Sequence, residues 1–412
     1  MPYCFKYRIY PDQNQRETLD SAFEACRLLY NGCLEERINH YKKFQKGISY
    51  NEQSAQLPEI KEQGWFVGIY SQTIQEVLKR LDKAFQAFFK RFKNGEKPGF
   101  PRFKKYGRFR SIVFPQPDPE LKGPGGISLH GKKLKVFGID KLIPVKLHRP
   151  LPEGAACKQA RIFRDGDQYF VIFTFDSERK IDAETTNNVA AFDLGTSSFL
   201  TKDDGAKIDH PRPFKRAKDR LIKAQRDFSA KKRNSKNSLR TKQSLAAKHR
   251  KVRNIRLDFQ HKLALELVRQ NDVIILEDLD IKNMLSKKKK KKVSESESSQ
   301  EIDSNSQSEL RQSISDAAWG QFCFIVAYKA ENARKLLVKV DPRNTSKICS
   351  NCGELKEMPL KERRYQCSHC GLDLDRDHNA ALNIKKSGLG FVADFLNKNP
   401  KQKPPPQLPF GQ

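Results

Sequence analysis

Three acidic residues lie at positions where a charged side chain is unfavourable unless it has a partner. Asp193 follows the apolar run VAAF, and Glu277 follows the apolar run VIIL. Asp377 lies in the segment DRDHNAALNI, at the predicted start of a helix whose small residues permit close packing against a sheet. A carboxylate at the end of a buried strand is costly unless it is paired or binds a metal. Two or three carboxylates together can hold divalent cations, so we expect these three to converge on shared metal ions.

Each carboxylate also has an ordinary structural explanation. Taken singly, Asp193 or Glu277 could be a strand-end cap or an ion-pair partner, and Asp375 and Asp377 could both be N-cap residues. Hydrolysis of a phosphodiester needs an activated water, a stabilised pentavalent centre and a neutralised leaving oxygen. Two metals about 4 Å apart, held by several carboxylates, supply all three. Oxygen ligands favour Mg²⁺, with Mn²⁺ as a substitute.

Two cysteine pairs form the most specific metal-binding pattern in the chain. Fourteen residues separate the pairs, and each pair is followed by a glycine: Cys349, Cys352 and Gly353, then Cys367, Cys370 and Gly371. Four thiolates at this spacing can surround one tetrahedral Zn²⁺, and each tight knuckle needs a glycine turn. His369 lies inside the second pair, but the complete four-cysteine set makes it a surface residue. We therefore expect a structural zinc ribbon rather than disulfides.

The charge of the chain favours a polyanionic partner. The 412 residues include 79 Lys and Arg against 49 acidic residues, a formal charge of +30. Between residues 215 and 262 there are eighteen Lys or Arg and three acids with helical spacing, which predicts a basic helical hairpin. A solvated helix pair is the alternative. Residues 88–110 interleave aromatic and basic side chains and suit unpaired bases, although Phe88 and Phe92 are expected to fill core.

The same composition bears on where the protein acts. No amino-terminal stretch has the pattern of a signal peptide, and no apolar run has the length of a membrane span. We expect a cytoplasmic, nucleoid-associated protein. In a reducing compartment the paired cysteines favour metal binding over disulfides, and the other five cysteines are scattered: Cys4, Cys26, Cys33, Cys157 and Cys323.

Periodicity predicts the elements that must position these groups. A short strand ends at Pro11, and helices follow from about Asn14 to Tyr41 and from Ser71 to Phe92. Residues 111–175 contain β-rich runs, with a hairpin turn at Asp165-Gly166, and are predicted to form a small antiparallel barrel.

From VAAFDL onward, strands alternate with basic helices, which predicts an α/β domain. A further helix starts at about Ser315 and precedes the strand LLVKV. Residues 286–312 are rich in Lys and Ser and low in apolar content, so we expect a disordered insertion there. The tail 391–412, with its proline-rich end, is also expected to be disordered.

Six motifs in this order carry a resemblance to a known family: KYRIYP, PGFPRFK, FDLG, ILEDL, the two cysteine pairs and DRDHNAALNI. Across most of its length the chain resembles TnpB, the RNA-guided endonuclease of bacterial insertion sequences and a relative of compact type V CRISPR effectors. The resemblance implies a RuvC-like nuclease of RNase H type, with Asp193, Glu277 and Asp377 as its catalytic triad. Asp377 is preferred over Asp375 because relatives have Asp-x-Asn there. Phe192 departs from the usual Ile or Val without removing a ligand.

The resemblance also implies a multidomain α+β organisation. Its expected parts are a β-barrel wedge domain (1–11 and 111–180), a helical recognition lobe (12–110), a RuvC-like α/β nuclease domain (186–343 and 374–390) and an inserted zinc ribbon for target nucleic acid (344–373).

The implied partners are a guide RNA from the element's own transcript and double-stranded target DNA, in a monomeric ribonucleoprotein. Guide pairing reads the target sequence, and the protein reads a short adjacent motif. Gln72, Gln75 and Lys79 share one helix face and could contact bases, although a solvated face has the same spacing. The alternative function is a non-cleaving RNA-guided repressor or transposition regulator. DNA strand transfer is disfavoured because no tyrosine nucleophile is flanked by metal-binding histidines.

Overall fold

The computed structural model describes residues 3–118, 120–123, 125–176, 181–233, 235–286, 304–359 and 362–398. The chain divides into two compact units, Met1–Arg179 and Lys180–Gln412. None of the described helices combines the length and the apolar character needed to cross a bilayer.

The first unit combines helices with an antiparallel sheet. Its elements are β1 (Tyr3–Ile9), α1 (Gln13–Phe44), α2 (Tyr50–Ala55), α3 (Leu57–Glu62), α4 (Ser71–Lys93), β2 (Ser111–Pro115), β3 (Ile127–His130), β4 (Lys133–Val136), β5 (Ile139–Lys146), β6 (Cys157–Asp165) and β7 (Gln168–Phe175). Helix α1 begins at a capping box, in which the Asp12 side chain accepts from the Gln15 backbone N–H and the Gln15 side chain accepts from the Asp12 N–H. The two predicted helices thus lie close to their expected bounds.

The seven strands of this unit pair in the order β2-β6-β7-β1-β5-β4-β3, and every pair is antiparallel. Strand β5 was missing from the predicted strands because Pro144 interrupts its sequence. Pro144 has no N–H to donate, but its carbonyl accepts a hydrogen bond from the Tyr10 N–H at 2.9 Å. No ladder joins β2 to β3 among the residues described, so closure into a barrel stays a prediction.

One hydrophobic core joins the helices of the first unit to its sheet. The apolar stripe of α4, including Ile74, Val77 and Leu78, is buried in the same cluster as Ile112 and Phe114 of β2. The structure therefore places the predicted recognition lobe and the predicted wedge domain in a single compact unit.

The second unit contains a mixed sheet, its covering helices and a small ribbon. Its elements are β8 (Val189–Leu194), β9 (Leu200–Lys202), β10 (Lys207–Ile208), α5 (Pro213–Ser229), α6 (Lys236–Gln270), β11 (Val273–Glu277), α7 (Ile281–Leu285), α8 (Ser304–Ala317), α9 (Trp319–Asn332), β12 (Leu336–Val340), β13 (Arg364–Gln366), β14 (Asp373–Asp375) and α10 (Arg376–Lys398). The strand order is β10-β9-β8-β11-β12. The first three strands pair antiparallel, whereas β8, β11 and β12 are parallel. All five residues of β11 are buried, as expected for a central parallel strand.

Two predictions of disorder are wrong in part. Residues 304–312, placed in the disordered insertion 286–312, belong to α8, and residues 391–398, placed in the tail, belong to α10. Helix α8 is anchored at its end, where Ile314 is buried and the Asp316 carboxylate accepts from the Phe214 N–H at 3.1 Å.

Helix α10 continues because no proline interrupts the sequence before Pro400. Residues 287–303 and 399–412 of the two predicted segments lie outside the described residues. The helix predicted from about Ser315 is two helices, because Ala318 adopts a left-handed conformation with φ of 50° between α8 and α9.

Candidate active site and zinc centre

Asp193 and Glu277 lie at the same edge of the second sheet because their strands are parallel neighbours. Phe192 of β8 pairs in register with Leu276 of β11, and each carboxylate directly follows one member of this pair. On the other side of β11, Glu277 lies opposite Val340 of β12. The fold therefore delivers both predicted carboxylates to the carboxyl ends of adjacent parallel strands.

Helix α10 brings Asp377 to this edge by packing closely over β11. A Cβ atom added at Gly388 would lie 2.5 Å from the Ile275 side chain, so a residue without a Cβ is needed for this approach. The Oδ2 atom of Asp377 lies 3.7 Å from the position that a Cβ on Gly195 would occupy. Because Gly195 follows Asp193 closely in sequence, the third carboxylate approaches the end of β8.

The pKa of Asp193 is affected by both of the other acids. Burial, followed by the charges of Glu277 and Asp377, holds the pKa of Asp193 well above its usual range, and Arg376 offsets part of the effect. Burial also raises the pKa of Glu277, while a hydrogen bond from the Thr345 hydroxyl acts to lower it. A divalent cation would stabilise the charged form of Asp193, which burial and two neighbouring acids disfavour.

The two neighbouring aspartates before α10 have different environments. Asp375 accepts hydrogen bonds from the backbone N–H groups of Asp377 at 3.0 Å and His378 at 3.3 Å, and it pairs with Lys207 at 2.7 Å. Burial acts to raise the pKa of Asp375, but Lys207 and these N–H groups outweigh it and lower the pKa. Asp375 therefore has the N-cap role. Asp377 is free of that role, and its nearest described cation is the Arg363 guanidinium at 3.9 Å.

The carboxylates are not as tightly grouped as the cysteines. Among the described residues, the four cysteines form the one group of at least three metal-binding side chains whose ligand atoms all lie within 4.8 Å of one another. The oxygens of Asp193, Glu277 and Asp377 are thus spread over a longer distance. Their chemistry, a set of oxygen donors at one edge of the sheet, fits Mg²⁺ or Mn²⁺ bound by subsets of the three.

The four predicted zinc ligands meet in the ribbon. The Sγ atoms of Cys349 and Cys370, and those of Cys352 and Cys367, are each 3.6 Å apart. Tetrahedral Zn²⁺ with Zn–S bonds of about 2.3 Å requires sulfurs about 3.8 Å apart, so the four fit this ion. Hydrogen bonds from the backbone N–H of Leu372, and then from Asn351, lower the pKa of Cys370 to about 6, which favours the thiolate.

Both zinc knuckles close on glycines, as the sequence predicts. Gly353 and Gly371 have φ angles of 82° and 75°, which residues with a Cβ rarely adopt. The N–H of Gly353 donates to the Cys349 carbonyl at 3.0 Å, and the N–H of Gly371 donates to the Cys367 carbonyl at 3.1 Å. His369 is exposed, in agreement with its expected surface position.

The sequence interpretation missed the residues that join the ribbon to the carboxylates. The Asn379 amide donates to the Ile348 carbonyl at 2.8 Å, and the Asn383 amide donates to the carbonyls of Thr345 and Ile348 at 2.8 and 2.7 Å. Two asparagines four residues apart, on either side of the apolar residues Ala380, Ala381 and Leu382, are a signal that could have indicated such contacts. Thr345 itself has no comparable sequence signal.

The three predicted DNA-reading residues lie on α4, in the first unit. Gln75 is exposed, whereas Lys79 pairs with Glu76 at 2.9 Å. The Oε1 atom of Gln72 is buried, and no hydrogen-bond partner occurs for it among the described residues. The helix therefore offers one exposed amide, one paired ammonium group and one amide oxygen that lacks a partner.

A basic cavity of about 480 Å³ lies in the first unit. No carboxylate lines it among the described residues, and five of its lining side chains are cationic: Arg80, Lys104, Arg108, Arg110 and Arg161. Burial, and then the charge of Arg161, lowers the pKa of Arg80. Uncompensated positive charge of this kind fits an anionic group such as a phosphate.

The aromatic and basic tract between residues 88 and 110 is largely exposed. Phe92 is 69% exposed and Tyr106 is 82% exposed, so the prediction that Phe92 fills core is wrong. Phe88 packs edge-on against Phe100 with ring centroids 5.4 Å apart, which accounts for its partial burial. Phe92 lies near the end of α4, beyond the turns that cover the sheet.

Models of three protein families match the chain. Residues 1–46 match "Helix-turn-helix domain", residues 173–288 match "Probable transposase", and residues 319–384 match "Cas12f1-like, TNB domain". The first matched range holds β1 and the single long helix α1 rather than two short helices. The third range covers the ribbon and the start of α10.

Named relatives match almost the whole chain. It is 32% identical to a "Putative RNA-guided DNA endonuclease" of Streptomyces pristinaespiralis, over 95% of this chain and 90% of the relative. It is 26% identical to the "Putative RNA-guided DNA endonuclease InsQ" of Escherichia coli K12, over 95% and 93%. The chain also resembles a protein in the cryo-EM structure of a Cas12f1–sgRNA–target DNA complex, with a TM-score of 0.52 and 13% sequence identity. The match covers 91% of this chain and 83% of that protein, which shows a shared fold. The resemblance inferred from the sequence motifs is thereby confirmed, and the chain belongs to the TnpB family of IS605-type elements.

Proposed function

We propose that this protein is an RNA-guided DNA endonuclease of a bacterial insertion sequence. It would cleave target DNA beside a short adjacent motif by metal-dependent phosphodiester hydrolysis. The proposal is carried by the placement of the three acids: Asp193 and Glu277 directly follow a paired position of two adjacent parallel strands, and Asp377 Oδ2 lies 3.7 Å from the position that a Cβ on Gly195 would occupy. The names of its relatives support RNA guidance and DNA as the substrate.

The domain assignment belongs to the same proposal. A RuvC-like nuclease domain would comprise residues 186–343 and 374–390, and its three antiparallel strands followed by two parallel strands are consistent with an RNase H type of fold. Residues 344–373 would bind target nucleic acid as the zinc ribbon. The sheet of the first unit would act as the wedge and residues 12–110 as the recognition lobe.

The carboxylates would hold the catalytic cations, and the surrounding fold would hold the carboxylates. When bound, Mg²⁺ ions supply an activated water and neutralise charge on the scissile phosphate. The charges of Glu277 and Asp377 both act on Asp193, so Asp193 would hold a cation together with either of them. Glu277, buried and fixed by Thr345, has a defined orientation. Asp377 is presented by α10 without a capping role.

Nucleic acid would be held mainly through its phosphates. The basic helices α5 and α6, the five-cation cavity and the exposed aromatic tract offer phosphate contacts and stacking surfaces. We assign the guide RNA to the first-unit cavity and tract. Within α4, Gln72, Gln75 and Lys79 would read the adjacent motif, with the exposed amide of Gln75 as the group most accessible to a base.

Cleavage by the assembled ribonucleoprotein tests the proposal. The protein is co-expressed with the transcript of its element, purified with the bound RNA, and mixed with target plasmid and Mg²⁺. We expect RNA-dependent cutting that Asp193→Ala abolishes. Unimpaired cutting by Asp193→Ala would refute the site, and tight target binding without turnover in any divalent metal would identify the protein as a non-cleaving repressor.

A matched pair of variants tests which aspartate of α10 acts. Asp377→Asn should abolish cutting, whereas Asp375→Asn should retain most of it because asparagine also caps a helix. Equal losses in both variants would contradict the assignment of Asp377.

A further inference from the structure

A threonine from the zinc-binding segment directly contacts one of the three carboxylates. The Thr345 hydroxyl donates to Glu277 Oε1 at 2.6 Å, across 68 residues of sequence, and both residues are almost fully buried. The Pro342 carbonyl, at 3.3 Å, is the other acceptor within reach of this hydroxyl. Since the hydroxyl has one proton, the shorter contact with the carboxylate prevails.

The position of Thr345 is set by α10 and by the first zinc knuckle together. Asn383 uses both N–H bonds of its amide on the carbonyls of Thr345 and Ile348. Ile348 directly precedes the predicted zinc ligand Cys349. Within the knuckle, the Ser350 carbonyl accepts a hydrogen bond from the Lys386 ammonium of the same helix. Residues 345–350 are thus held between the cysteines and the helix that carries Asp377.

We propose that Thr345 is a positioning residue, through which the folded zinc knuckle orients Glu277 for the catalytic cation. The proposal rests on the proposed nuclease function. It gives the ribbon a second role besides binding nucleic acid, because the ribbon supplies a hydrogen-bond donor directly behind a metal ligand.

The physical reason is the freedom of a buried carboxylate. Glu277 has several side-chain torsions, and without a hydrogen-bond donor its carboxylate would be free to rotate among them. With Oε1 fixed by Thr345, the other oxygen is presented in one direction. Hydrogen-bond partners behind metal ligands typically change metal affinity or activity by about 10- to 100-fold when they are removed.

Divalent-metal binding by the ribonucleoprotein, measured without target DNA, tests this role. Free Mn²⁺ is followed by electron paramagnetic resonance during a titration. Thr345→Val removes the hydroxyl at nearly constant volume and should raise the half-saturating Mn²⁺ concentration about 10-fold. Thr345→Ser keeps the hydroxyl and should restore binding to within about twofold of the original protein.

A neighbouring residue provides the control. The Ser346 hydroxyl accepts from Arg376 at 3.2 Å and contacts no carboxylate in the described part of the chain, so Ser346→Ala should leave Mn²⁺ binding unchanged. Zinc content reports whether each variant keeps its ribbon. If the valine variant loses zinc, Thr345→Ala replaces it, since alanine removes the hydroxyl with less bulk in the site.

The effect must also depend on Glu277. In a Glu277→Gln background, Thr345→Val should have no further effect on Mn²⁺ binding, because the acceptor charge is already absent. Equal Mn²⁺ affinity in the original protein and in Thr345→Val, with zinc retained, overturns the role of Thr345 alone. If Glu277→Gln itself leaves Mn²⁺ binding and cleavage unchanged, the proposed active site fails as well.

Discussion

The side-chain oxygen of Asn379 accepts a hydrogen bond from the backbone N–H of Ser350 at 2.9 Å, between the first two zinc ligands. Asn379 is fully buried, and its amide group donates to the Ile348 carbonyl. Asn379→Leu should leave the Ser350 N–H buried without an acceptor, at a cost of about 1–3 kcal/mol. Hydrogen exchange at residues 345–352 should then be about 5- to 150-fold faster, because exchange through local opening scales with the opening equilibrium.

Asn237→Leu serves as the control for that substitution, because Asn237 is exposed on α6. It should leave exchange in the ribbon unchanged. Unaltered protection of the Ser350 amide in Asn379→Leu would show that the ribbon does not depend on this contact.

His210 should make the stability of the second unit depend on pH. Burial lowers its pKa below the ordinary value of 6.5; Asp316 opposes this effect, and Arg212 and Arg256 add to it. As pH falls through 6.5, the unfolded state takes up a proton before the folded state does. Stability is therefore lost between pH 6.5 and the lower folded pKa, and the loss levels off below it.

The variant His210→Asn isolates this contribution. It keeps an acceptor near the Arg212 N–H, which His210 Nδ1 binds at 2.6 Å, but it has no group that titrates in this range. Urea-unfolding midpoints from pH 8 to pH 5 should fall less steeply for the variant than for the original protein. Identical pH dependence would show that His210 is not the responsible group.

The basic cavity of the first unit should contribute to RNA binding. Arg161→Ala removes one of its five cations and should weaken RNA binding, with a loss of about 0.7 in the slope of log affinity against log salt. Lys158→Ala is the matched control, because Lys158 is exposed on the same strand and already pairs with Asp176 at 3.2 Å. Equal salt slopes for the original protein and Arg161→Ala would remove this cavity from the RNA interface.

Removal of zinc should separate cutting from RNA binding. A chelator, or Cys352→Ser, should unfold the ribbon and weaken DNA cutting strongly while guide RNA binding is largely retained. Cys4→Ser, outside the four-cysteine group, should change neither property. Zinc content, RNA affinity and cutting rate are measured on the same preparations. Loss of RNA binding along with zinc would contradict this division of roles.

Elements with strong local periodicity were predictable from the sequence. The long helices α1 and α4 and the apolar strands β8 and β11 have local patterns that tertiary packing did not override. Strand β5 was not predicted, because Pro144 argues against a strand and its pairing with β1 and β4 is visible only in three dimensions. The first turns of α8 were missed because their sequence is polar and has no apolar stripe.

Some residues of the candidate site could be predicted from the sequence, and others could not. Asp193 and Glu277 were predictable because each acidic side chain directly follows an apolar run that predicts a strand. The four cysteines were predictable from their spacing. Thr345 carries no such signal, since its significance depends on a partner 68 residues away. Likewise, the separation of roles between Asp375 and Asp377 required the hydrogen bonds at the start of α10.

The position of α10 has a consequence for biosynthesis. It follows the ribbon in sequence, yet it packs on β11 so closely that Gly388 has no room for a side chain. A nascent polypeptide that has emerged only as far as β12 holds two of the three acids and lacks the helix that covers them. The proposed active site is therefore complete only after the ribbon and α10 have been translated, and a product truncated before the ribbon would lack its third acid.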